Sequence, residues 1–100
     1  MPDLSADLRL AVETGSISFG IKETIKAITQ GKAKVAIVAS SSKGDNISDI
    51  THACKLAGTK LLNFKGNPVE LGAVCGKPFG VSTLAILDPG ASKILEENYD

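Results

Sequence analysis

A layered α/β domain, with a central sheet covered by helices on both faces, is the fold this sequence predicts. Three observations predict it. Apolar spacing switches repeatedly between the helical period and short strand-like runs. One run, Val35-Ala36-Ile37-Val38-Ala39, is apolar throughout and partly β-branched, as in a strand buried on both faces. Glycines at 15, 20, 31, 58 and 76 punctuate the periodic segments. The 100 residues allow one domain, spanning 1–100, of the three-layer α/β/α kind.

Residues 3–14 read as a helix, with Leu4, Leu8, Ala11 and Val12 on one stripe, Asp3 as the cap and Gly15 as the stop. Ser16-Ile17-Ser18-Phe19 alternates polar and apolar, which suits a short half-buried strand. After Gly20 a second helix keeps Ile21, Ile25 and Ile28 on one face and ends at Gly31. The buried run 35–39 is a strand, and Ser40 to Gly44 a loop. A third helix follows, capped by Asp45 or Asn46, with Ile47, Ile50, Cys54 and Ala57 inward and Gly58 closing it. Residues 59–64 form a strand around Leu61, Leu62 and Phe64. Asn67, Pro68 and Glu70 have the order of a capping box with Pro at the first helical position, so a short fourth helix runs to Gly76. Val81 to Leu87 is a strand, Asp88-Pro89-Gly90 a turn, and Ala91 to Glu97 a last short helix.

Composition narrows the function. Eleven Lys plus Arg balance eleven Asp plus Glu, and 43% of residues are apolar. This excludes a disordered tail, a coiled coil and a general polycation. The charge is nonetheless uneven. Residues 1–14 hold one base and three acids, 15–85 nine bases and four acids, and 86–100 one base and four acids. The basic excess lies in the middle. No apolar run approaches the length of a membrane helix, and no secretory pattern opens the chain. Cys54 and Cys75 form no CxxC pair, which points to a reducing, intracellular setting.

Catalytic groupings are missing from the sequence. His52, the only histidine, stands two residues before Cys54 in a helix, a spacing that turns the two side chains apart. Gly31-Lys32 and Gly76-Lys77 lack the rest of a P-loop, and neither GxGxxG nor GxSxG occurs. Asn46-Ile47-Ser48 matches a glycosylation sequon that suits helix initiation better. No cofactor and no metal set is implied.

The chemistry present is that of binding. In Phe19-Gly20-Ile21-Lys22-Glu23-Thr24-Ile25-Lys26, the glycine permits close backbone approach and the free first-turn N–H groups carry partial positive charge. Lys22 and Lys26 share one side of the helix, bordering the isoleucine face, while Glu23 points elsewhere. Lysine and backbone donors with one carboxylate acceptor suit a guanine edge beside a phosphate. The same residues also make an ordinary solvated helix start. In Gly76-Lys77-Pro78-Phe79-Gly80, Phe79 either offers a face to an unstacked base or turns inward and caps the core. Ser40 to Gly44 supplies hydroxyls and Lys43 after a buried strand, where functional loops of α/β sheets often lie.

Taken in order, Gly20-Ile21-Lys22-Glu23-Thr24-Ile25-Lys26, Gly31-Lys32-Ala33-Lys34, Glu70-Leu71-Gly72 and Gly76-Lys77-Pro78-Phe79 closely resemble the ribosomal protein L thirty-e family. That family lies within the L seven-Ae superfamily that binds kink-turn RNA. The resemblance runs from Leu4 to Leu95. It implies a sandwich with a four-stranded mixed sheet, no enzymatic activity, and a structural place in the large ribosomal subunit of the cytoplasm. It further implies recognition of a sharply bent RNA with tandem sheared G·A pairs by three loops. These map onto Gly20, Lys22, Glu23 and Lys26, onto Ser40 to Lys43, and onto Lys77 to Gly80, with Phe79 matching the family's stacking ring. Ser41 holds a place where the family often has Asn, and a hydroxyl cannot make an amide's two-point contact. The partners implied are ribosomal RNA and other large-subunit components. Neither a membrane nor a small-molecule substrate is expected, and the isolated protein is a monomer. About three phosphate contacts give a log-affinity slope against log salt of roughly −2 to −3. The alternative is a non-ribosomal RNA-binding module, or an α/β module for a nucleotide or protein partner at the same glycine edge.

Overall fold

A computed structural model describes residues 4–39 and 45–95. The elements alternate along the chain as α1 (Leu4–Thr14), β1 (Ser16–Phe19), α2 (Ile21–Thr29), β2 (Val35–Ala39), α3 (Asp45–Ala57), β3 (Lys60–Phe64), α4 (Pro68–Val74) and β4 (Thr83–Asp88). The strands form one mixed sheet in the order β1-β4-β2-β3. β4 runs antiparallel to both β1 and β2, whereas β2 and β3 are parallel.

The period of two along β2 divides the interior. Val35, Ile37 and Ala39 join Leu8 and Ala11 of α1 and Leu71 of α4 in one core, with Leu84 and Ile86 from β4. Ala36 and Val38 face the other way and pack with Ala27 and Ile28 of α2, Ile50, Ala53 and Cys54 of α3, and Ala85. Helices therefore cover both faces, and all five residues of β2 are buried. Ile37, Leu84 and Ile86 are fully buried. Removal from water favours each by about 1.5–3 kcal/mol.

The local signals act as read. Asn67 caps α4 by accepting from the Glu70 N–H at 2.8 Å, with Pro68 next in the chain. Gly15 ends α1 where its bare Cα faces the Asp88 carbonyl. The residues facing the core differ slightly from the expected stripes. On α2, Thr24, Ala27 and Ile28 are buried and Ile21 and Ile25 flank them. On α3, Ala57 is exposed. The proposed cap residues Asp45 and Asn46 stand at the first two positions of α3, and the side chains of residues 45–47 lie outside the described set, as does Asp3.

Two boundaries at the end of the chain need correction. β4 begins at Thr83 instead of Val81, because the Val81 N–H donates to the Pro68 carbonyl at 2.9 Å and so belongs to the loop on α4. The expected helix from Ala91 is absent from the described part, residues 91–95. A turn bond from the Ser92 N–H to the Pro89 carbonyl at 3.0 Å and two side chains hold that backbone instead. Thr14 Oγ1 accepts from the Ala91 N–H at 2.9 Å, and Ser92 Oγ accepts from the Ile94 N–H at 3.2 Å while donating to the Asp7 carbonyl at 2.6 Å. This irregular segment carries Ile94 into the core beside α1.

Candidate functional site

Strand register fixes which loops meet. Phe19, at the end of β1, pairs with Leu84; Val38, near the end of β2, pairs with Thr83; and Phe64, at the end of β3, pairs with Ala39. The C-terminal ends of three strands and the N-terminal end of β4 thus share one edge of the sheet. Two backbone bonds secure it. Gly20 N–H donates to the Thr83 carbonyl at 3.0 Å, and Ala39 N–H donates to the Ser82 carbonyl at 2.9 Å.

Gly20 has φ of +99°, a conformation closed to residues with a Cβ. No side chain caps α2, so its first-turn N–H groups open at this edge without a side-chain acceptor. Lys22, Glu23 and Lys26 are all exposed. Their grouping departs from the expectation that Glu23 points away from the lysines. Glu23 and Lys26 together line a hollow of about 170 Å³ between α2 and the β1–β4 strands, with Ser18, Gln30 and Lys32. Spacing of three on a helix puts them on neighbouring sides.

The second segment returns from the end of α4 along its surface. Lys77 N–H donates to the Gly72 carbonyl at 2.9 Å. A Cβ on Gly72 would collide with the Phe79 carbonyl, so glycine there is what seats the Phe79 backbone on the helix. Gly80 lies over Pro68. With the backbone held this way and Leu71, Cys75 and Val81 filling the interior, Phe79 is left 57% exposed. Of its two possible placements, the structure has the outward one.

The two segments meet through a cation and a ring. Lys77 Nζ stands 4.8 Å from the centroid of the Phe19 ring, and Phe19 immediately precedes Gly20. Phe19 opens the segment singled out in the sequence, which gives it no binding role there. Its signal was its position as the apolar end of an alternating strand directly before the glycine. Ser41 and Lys43 lie outside the described residues. What is fixed is that their loop departs from Ala39 beside Ser82.

Other candidate chemistry does not assemble. His52 is exposed while Cys54 is buried, as their spacing required. Both cysteines are free and buried. Burial raises the Cys54 thiol and pushes the Cys75 thiol up to about 11, with the Lys77 ammonium acting the other way. Thr24 and Thr83, whose backbones both bond to Gly20, bury hydroxyls that have no partner among the described residues. Among the described residues no three metal-binding side chains gather, and no helix is long and apolar enough to cross a membrane.

The model of the Ribosomal protein L7Ae/L30e/S12e/Gadd45 family matches residues 3–96. The chain belongs to this family. Its mixed four-stranded sheet and covering helices agree with an L7Ae-type fold. Among its relatives, the large ribosomal subunit protein eL30 of Saccharolobus solfataricus is 44% identical, over 90% of this chain and 83% of that protein. The protein of the same name from Methanothermobacter thermautotrophicus is 44% identical over 94% of this chain and 96% of its own length. That of Branchiostoma belcheri is 42% identical over 95% of this chain and 83% of its own length.

Proposed function

We propose that this chain is a structural component of the large ribosomal subunit that docks on folded, kink-turn-like RNA through the sheet edge carrying Gly20 and Phe79. The relatives named as large-subunit proteins support the ribosomal role, and with it a place in the cytoplasmic ribosome among ribosomal RNA and other subunit components. Its action is docking and not catalysis. It works as one RNA-binding domain and is a monomer in isolation, with no small-molecule substrate.

The single observation behind the RNA-facing edge is the meeting of the glycine turn and the aromatic loop at the Lys77–Phe19 contact, with the Phe79 ring exposed nearby in sequence. Gly20 allows a nucleotide to approach the backbone closely. The open first-turn N–H groups and Lys22 favour phosphate. Glu23 accepts from the N1 and N2 hydrogens of guanine, and Lys26 beside it donates to O6 or N7. Phe79 supports an extruded base by stacking, with Lys77 and Gly80 on either side of it in the loop. Ser41 and Lys43, which lie outside the described residues, are taken as further RNA contacts on the family resemblance. A folded RNA with unstacked bases meets these groups, whereas a regular duplex hides its bases from them.

The test is a titration against a kink-turn RNA and a copy in which its G·A pairs are replaced. The kink-turn should bind at least about fivefold more tightly, the value of one good base contact at about 1–3 kcal/mol. Equal affinity for both would reject the reading.

A further inference from the structure

We infer that Phe19 is a positioning residue for RNA recognition: its ring holds the Lys77 ammonium at the mouth of the Gly20 turn before any RNA arrives. This rests on the RNA-docking reading above, which takes the Lys77–Phe19 contact only as evidence of where the two segments meet, and it gives Phe19 a role in recognition.

Both ends of Lys77 are tied to different parts of the fold. Its backbone N–H donates to the Gly72 carbonyl at 2.9 Å, which fixes the start of the side chain on α4. Its ammonium lies 4.8 Å from the Phe19 ring centroid, within the range in which an aromatic face attracts a cation. Phe19 is itself held by the fold. It pairs with Leu84 in the sheet and packs, half-buried, against the core formed by α1 and α4. Lysine is among the side chains that lose most freedom when ordered. A lysine already held over a ring loses less on binding, and this preorganisation appears as affinity. The two rings at this edge thereby divide the work. Phe19 carries the cation, and Phe79, 57% exposed, is left for a base. An aliphatic residue at 19 would fill the same core position without the negative ring face that attracts the ammonium.

The experiment compares Phe19→Leu, Phe19→Tyr, Lys77→Met and the Phe19→Leu/Lys77→Met pair, each first checked for an unchanged circular dichroism spectrum. In the free protein, ring current should move the Lys77 ε-methylene protons upfield in wild type and in Phe19→Tyr, and not in Phe19→Leu. Against kink-turn RNA, Phe19→Leu should bind about three- to tenfold more weakly, and Phe19→Tyr like wild type. In the Lys77→Met background Phe19→Leu should have no further effect. An equal loss in both backgrounds would show that Phe19 only packs. Unshifted ε-methylene signals in wild type, or wild-type binding by Phe19→Leu while the G·A preference persists, would overturn the inference and leave the docking reading intact. A wild-type protein indifferent to the G·A pairs would overturn both.

Discussion

Phe79 stays at the surface because its backbone, and not its ring, is what α4 receives. The absence of a Cβ at Gly72 lets the Phe79 carbonyl sit against the helix, and the ring projects from there. The sequence leaves this undecided, since the deciding neighbour is seven residues away and acts through missing atoms. The lysine and glutamate of α2 were legible as a group, but their exact sides were not. Spacing of three places Glu23 beside Lys26 as surely as spacing of four places Lys22 there. Replacing Phe79 with Ala removes a stacking face from a residue that is 57% exposed. RNA affinity should fall by about 1–3 kcal/mol, with the fold retained by circular dichroism. Lys26→Ala should show a similar loss of about 1–3 kcal/mol by the same titration, for want of a donor to the base edge. Wild-type binding by both would leave the proposed surface without support. Cys75 gives a separate test of its surroundings. Its folded value of about 11 stands above the ordinary 9.0, so the folded state retains a proton that the unfolded chain releases. The associated stability is complete below pH 9.0 and is lost as pH rises through about 11. Thermal melts across that interval should show a falling midpoint, and the fall should be shallower in Cys75→Ala.

At the scale of elements, the segments whose ends are set by local chemistry were legible. Asn67 and Pro68 start α4, the glycine after Phe19 starts α2, and an unbroken apolar run makes β2. Ala91 to Leu95 was misread because its backbone groups bond to Thr14 and Ser92 side chains, partners that a periodic pattern does not reveal. Val81 was misread because an apolar residue next to a strand also serves a loop held by Pro68. The cap on α4 bears on the site as well as on stability, since the Lys77–Gly80 loop is laid along that helix. Asn67→Ala loses the 2.8 Å bond to the Glu70 N–H. It should lower unfolding free energy by about 1 kcal/mol in a denaturant titration.

For the whole molecule, net charge says little and arrangement says more. Equal numbers of acids and bases coexist with a basic middle segment. The topology brings parts of that segment together at one sheet edge, the start of α2 at Gly20 and the Lys77 side chain. The layered class was legible from the alternation of elements. The strand order β1-β4-β2-β3, which makes the first and last strands neighbours and so brings Gly20 to Thr83, was not, because pairing partners leave no mark on local spacing. The family resemblance supplied the loop grouping that periodicity alone could not. The most direct measurement is the map of backbone amide shifts when kink-turn RNA is added to the labelled protein. The largest changes should fall together on Gly20 to Glu23 and on Lys77, Phe79 and Gly80, with the outer face of α3 around His52 and Leu56 unmoved. Changes centred on α3, or confined to one of the two segments, would contradict a shared RNA-binding edge.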